Sequence, residues 1–177
     1  MENNQLKQLI DTSSRIILKV GSSLLINENN NDINYHWLKN FSKEIQSLTD
    51  KKKQIMIVSS GSVALGRKQL NLVKNLSLDE KQAAAAVGQI HLSHAWKEVL
   101  KSFNLESAQI LLAPDDTETR RKHLNARATL LKLLQLNVIP VINENDTVST
   151  DEIKFGDNDR LAAVSYTHLT LPTTNSV

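Results

Sequence analysis

Four short stretches hold the residues that could do chemistry. "KVGSS" supplies Lys19, Gly21, Ser22 and Ser23, and "SSGSVALG" supplies Ser59, Ser60, Gly61, Ser62 and Gly66. "NEND" supplies Asn143, Glu144, Asn145 and Asp146, and "GDND" supplies Gly156, Asp157, Asn158 and Asp159. The span 143–160 carries six carboxylates and three asparagines directly after the apolar run "NVIPVI". Acids answer cations, amides and hydroxyls answer carboxylates, and glycines let backbone N–H groups approach an anion. Together these types line a site for a small charged molecule. Singly, each stretch has a plainer reading: a turn glycine, a solvated lysine, an exposed acidic loop.

The elements that must position them alternate. "RIILKV" (15–20), "QIMIVSS" (54–60), "SAQILLA" (107–113) and "NVIPVI" (137–142) read as short buried strands. "YHWLKNFSKEIQSL" (35–48) places Trp37, Leu38, Phe41, Ile45 and Leu48 at helical spacing. Ser77 and Glu80 form a capping-box pattern before the long helix "KQAAAAVGQIHLSHAWKEVLKSF", whose alanines allow close packing. Pro114 and Asp115 are expected to open a further helix running through "ETRRKHLNARATLLKLLQ", and "NENNNDIN" (27–34) reads as a polar loop. Strands alternating with helices predict an α/β fold with a mainly parallel sheet. Such sheets bind ligands at the carboxyl ends of their strands, where "KVGSS", "SSGSVALG" and "NEND" fall, with "GDND" in the next loop.

Composition narrows the classes. The chain has 177 residues, enough for one domain with a real core, with 40% hydrophobic and 23% charged residues. A formal charge of +2 gives no reason to expect a nucleic-acid or membrane partner. Without cysteine there is neither a disulfide framework nor a thiolate metal site. The start "MENNQLKQLIDTSS" is a polar segment over residues 1–14 with no apolar h-region, and no run approaches the ~18 apolar residues of a membrane span. The expected compartment is the cytoplasm.

Some patterns mislead. "GSVALGRK" (61–68) has Walker A glycine spacing, but Arg67, Lys68 and Gln69 follow where Lys and then Ser/Thr are needed. His91 and His94 are spaced i, i+3 without the glutamate of H-E-x-x-H, so no metal site is expected. "KKK" (51–53) reads as a solvated turn, and Trp37 and Trp96 as packing residues.

In order and approximate spacing, "ILKVGSSLL", "IVSSGSVALGR", "KQAAAAVGQ", "LNARATL" and "VIPVINENDTVSTDEIKFGDNDRLAA" resemble the glutamate 5-kinases, of the amino acid kinase fold. "INEND…GDND" is the most specific part; "KVGSS" is shared across kinases of that fold. The resemblance implies a three-layer αβα sandwich, with residues 15–164 forming the N-terminal part of an amino acid kinase domain. It implies transfer of the ATP γ-phosphoryl, with Mg2+, to the side-chain carboxylate of L-glutamate, the first step of proline biosynthesis. On that reading Lys19 contacts the transferring phosphoryl, and Gly21 and Ser22 offer backbone N–H groups to the phosphate chain. Ser60, with the backbone at Gly61 and Ser62, holds the glutamate. Asp146 answers its ammonium, and Asn143 and Asn158 donate to carboxylate oxygens. Asp157 helps position the acceptor, and Asp159 orients lysines around the phosphates. Family members often assemble as dimers or tetramers and respond to proline.

The tail "SYTHLTLPTTNSV" (165–177) departs from the family pattern and reads as a translated cloning adapter, in place of the second, nucleotide-binding half. The chain as written is therefore expected to be the acceptor-binding part, inactive alone and marginally stable. Two other readings stay open. One is a sister kinase of the fold acting on acetylglutamate, aspartate or UMP; the other is a glutamate-binding module without catalysis.

Overall fold

Side-chain alternation within the strands decides the layers. The computed structural model describes residues 2–27, 32–73, 75–113 and 119–148. Its main sheet has four parallel strands: β1 (Arg15–Val20), β4 (Gln54–Ser59), β5 (Glu106–Leu112) and β6 (Val138–Glu144). Their order is β1-β4-β6-β5. In β4, Ile55 and Ile57 face one way and Met56 and Val58 the other, as a period of two requires. The first face also carries Val20, Ile139 and Val141; the second carries Leu112 and Ile142.

Helices cover both faces. On the first lie α3 (Tyr35–Asp50) and α5 (Leu78–Ser102), which contribute Leu38, Ile45, Leu92, Trp96, Val99 and Leu100 to the core. On the second lies α6 (Arg120–Gln135), through Leu130 and Leu134. Strand order explains the switch. From β1 to β4 to β5 the chain moves one way across the sheet, whereas β5 to β6 moves back. Right-handed crossovers then place the last helix on the opposite face. The result is a three-layer α/β/α arrangement with a parallel sheet.

Local chemistry sets several boundaries. Asn34 caps α3, its side chain accepting from the Trp37 N–H at 3.1 Å. Glu80 reaches back to the Ser77 N–H at 2.9 Å, completing the capping box of α5. Pro140 lies within β6, where a missing N–H should disrupt a central strand. Its position explains the tolerance: Pro140 pairs with Ala108 of β5, and the register with β4 runs only over Val141 and Ile142.

The structure adds elements that the polar sequence hides. Residues Glu2–Thr12 form a helix, α1, where only a polar segment was expected. Lys53, read as part of a solvated turn, donates to the carbonyls of Asp11 and Ser13 at 2.6 Å each and so closes the end of α1. After β1 come a short helix, α2 (Ser22–Leu25), and an antiparallel pair, β2 (Ile26–Asn27) and β3 (Asp32–Ile33), the latter within the stretch expected to be a polar loop. Strand β6 extends through Glu144, two residues past the apolar run. Among the described residues, no helix is long and apolar enough to cross a membrane.

Candidate functional site

Helix α4 (Ser62–Gln69) organises the site, and two glycine contacts place it. It packs against α5 so closely that a Cβ at Gly66 would sit 1.7 Å from the Ala84 carbonyl oxygen. One at Gly88 would sit 1.8 Å from the Ser62 carbonyl oxygen. Only glycine permits this approach. Gly66 thus belongs to the helix contact and not to the ligand-facing edge where the sequence seemed to put it. The Walker-like spacing is likewise a helix, not a loop.

Gly61 makes the turn from β4 into α4 with φ of 117°, a backbone that side-chain-bearing residues rarely adopt. A Cβ there would lie 3.7 Å from the Ser22 Cβ, so the loops after β1 and β4 meet. The Ser60 N–H donates to the Val20 carbonyl at 3.1 Å, tying the same two strand ends. Gly21 differs: its φ is −72°, and an added Cβ would meet nothing nearer than Ser23 Oγ at 3.9 Å. Lys19 is exposed near the end of β1, between Leu18 and Val20 of the first core cluster, and so projects toward the α6 face.

The end of β6 reaches the α4 N-terminus. Ser62 Oγ donates to Asp146 Oδ2 at 3.1 Å, although 84 residues separate them. Asn143 Nδ2 donates to Ser62 Oγ at 3.5 Å and to Gln89 Oε1 of α5 at 2.8 Å. Ser62, Asn143 and Asp146 are all buried, with Asp146 only 7% exposed. A nearly buried carboxylate is costly unless paired or hydrogen-bonded, and Ser62 supplies one such hydrogen bond. Sequence reasoning picked out Ser62, Asn143 and Asp146 but missed Gln89. Its only signal was a glutamine placed one residue after a packing glycine.

Below this edge, α5 and the first face of β5 and β6 enclose a cavity of about 320 Å³. Ser59, Gln89, Trp96, Ser107, Gln109 and Asn143 are among its lining residues. It shares Asn143 with the site but not Ser60, Gly61 or Asp146. Trp96 donates to Ser59 Oγ at 2.9 Å and meets Phe41 edge-on at 6.2 Å, so it packs as expected. His91 and His94 lie on the exposed side of α5, His94 being 4.0 Å from Glu98. Among the described residues, no group of three or more acids or histidines is placed to hold a metal ion. Asp157, Asn158 and Asp159, expected to complete the site, lie outside the described residues, as do residues 165–177.

Known proteins resemble this chain over most of its length. The glutamate 5-kinase of Paramagnetospirillum magneticum is 51% identical over 151 residues, covering 85% of this chain and 41% of its own length. That of Rhodopseudomonas palustris (strain BisB5) is 53% identical over 150 residues, and that of a Ruegeria species 46% over 155. These matches cover 84% and 87% of this chain, and 40% and 42% of the relatives. The chain thus spans about two-fifths of the length of the curated relatives it matches. The family model for amino acid kinases matches residues 14–165, which takes in all four strands of the sheet and the buried cluster at their ends. On this fold and this match, the chain belongs to the amino acid kinase family.

Proposed function

We propose that this chain forms the acceptor-binding part of a cytoplasmic glutamate 5-kinase, which phosphorylates the side-chain carboxylate of L-glutamate with ATP at the start of proline biosynthesis. The observation that carries the proposal is the buried Asp146, held by Ser62 beside Asn143 at the carboxyl end of the sheet. A carboxylate at this edge can pair with an amino acid's ammonium. Acetylglutamate and UMP carry no ammonium, so the same carboxylate disfavours them. The relatives' names point the same way.

The reaction asks little acid–base chemistry of the protein. A glutamate side chain has a pKa near 4.3, so the nucleophile is already ionised at neutral pH. The difficulty is bringing it against a polyanion in line. In this proposal Asp146 holds the ammonium, and Ser60 with the backbone of Gly61 and Ser62 fixes the acceptor. Asp157 and Asn158 complete that grip. Lys19 offsets charge on the transferring phosphoryl, Asp159 orients lysines, and Gly21 and Ser22 give N–H groups to the phosphates. Mg2+ would be held largely by the ATP phosphates and water, its usual habit. When bound, it neutralises phosphate charge. The rest of the ATP site would lie in the length that the relatives have beyond this match. A homo-oligomer is the expected assembly.

The test is Asp146→Asn in the chain completed to its relatives' length. Removing a buried charge–charge hydrogen bond of ~1.5–3 kcal/mol should raise the glutamate KM on the order of 100-fold. An unchanged glutamate KM would sink the assignment. ADP release with glutamate, aspartate, acetylglutamate and UMP in turn distinguishes the acceptor.

A further inference from the structure

The hydrogen-bond chain at the end of β6 has one direction, and a single charge sets it. An ionised Asp146 can only accept, so the hydrogen of Ser62 Oγ goes to its Oδ2. Ser62 Oγ can then only accept from Asn143, which therefore turns its Nδ2 toward Ser62. The second Nδ2 hydrogen goes to Gln89 Oε1 at 2.8 Å, the shortest contact in the chain. Both amide hydrogens of Asn143 are spent inside the protein. Its Oδ1 is the one polar atom left to offer a ligand, and it is an acceptor.

We infer that Gln89 is a positioning residue of the acceptor site: by holding the Asn143 amide, it presents Asn143 Oδ1 to the ammonium of the substrate. This rests on the reading of the site as one for an amino acid, and it reverses the role expected for Asn143, which was to donate to a carboxylate. The ammonium has three hydrogens. Asp146 takes one with charge, and Asn143 Oδ1 takes another. Both groups lie within one hydrogen bond of Ser62 Oγ, at 3.1 and 3.5 Å. Gln89 is half-buried on α5, next to Gly88, whose contact with Ser62 fixes the spacing of the two helices. The amide is thus anchored from the same helix that anchors Ser62.

The test compares L-glutamate with glutarate, the same dicarboxylate without the ammonium, in the completed enzyme. Gln89→Met keeps the length of the side chain and removes the acceptor. It should raise the glutamate KM about 10-fold, the effect of one lost hydrogen bond, with kcat and the ATP KM within about 2-fold. The inhibition constant of glutarate should stay within about 2-fold of wild type. Gln89→Glu, which can still accept from Nδ2, should recover most of the glutamate KM. Equal weakening of glutamate and glutarate overturns the inference, as does a Gln89→Glu enzyme no better than Gln89→Met. Should Gln89→Met fail to fold, the Gln89→Glu comparison decides alone: a glutamate-to-glutarate preference that falls more than 10-fold counts against the inference. A wild-type enzyme that neither binds nor phosphorylates glutamate defeats the amino-acid reading itself, which is a separate result.

Discussion

Gly88→Ala sets two opposing effects against each other, and the structure says which wins. Within a helix, alanine is favoured over glycine by about 1 kcal/mol. At residue 88 the new Cβ would lie 1.8 Å from the Ser62 carbonyl oxygen and 2.6 Å from the Gly66 nitrogen. An ordinary carbon–oxygen contact is about 3.3 Å or more, so α4 and α5 would have to part by roughly 1.5 Å. All three of the nearest atoms are backbone, and no side chain can swing away to make room. Overpacking of this kind costs about 1–3 kcal/mol. The shift also carries Ser62 away from Asp146, stretching a 3.1 Å bond beyond any useful length and costing about 1.5–3 kcal/mol more. The net expectation is a destabilisation of about 1.5–5 kcal/mol, or a Tm lower by roughly 3–20 °C for a chain of this size. Thermal unfolding followed by circular dichroism measures it. A variant that melts at or above the wild-type temperature would refute the close approach of the two helices, and with it the placement of Ser62.

Other perturbations have different signatures. Gly21→Ala should change stability by less than about 0.5 kcal/mol, because its φ is ordinary and the Cβ meets open space. The same variant should raise the ATP KM of the completed enzyme about 10-fold if Gly21 makes room for the phosphates, so an unchanged KM removes it from the ATP site. The Lys68–Asp32 pair, 2.6 Å apart, ties β3 to α4. The hydrogen bond from Lys68, and then that from the Ile33 N–H, hold the Asp32 carboxyl below its ordinary range. A depressed folded pKa gives stability that is complete above the unfolded value of about 3.9 and lost as pH falls through the folded one. Both side chains are more than a third exposed, so Lys68→Met should cost under about 1 kcal/mol at pH 7 and almost nothing near pH 2. A Tm difference that persists unchanged at pH 2 contradicts this account.

Much of the frame was legible in the chain because its causes are local. Apolar runs bounded by glycine and polar residues gave the four strands, and the capping box gave the start of α5. Those cues act over a few residues, and so does the Ser60–Gly61 turn, where only a glycine suits the φ that the backbone adopts. Helix α1 escaped because its sequence is polar and its end is held by Lys53, about 40 residues away. The β2–β3 pair escaped because two-residue strands carry no periodicity.

What only the tertiary structure decided depends on distance between segments, which composition and spacing do not encode. Gly66 and Gly88 look like ordinary helix interruptions in sequence, yet each admits the backbone of a neighbouring helix. Ser59 becomes the partner of Trp96, 37 residues on, and is lost to the ligand edge. The sequence could name Asp146, Asn143 and Ser62 as polar residues at strand ends, and so could announce a site for a small charged molecule. It could not say that they share one hydrogen-bond chain, or that Gln89 ends it, because the direction of such a chain is fixed by which donors and acceptors the fold brings within about 3 Å.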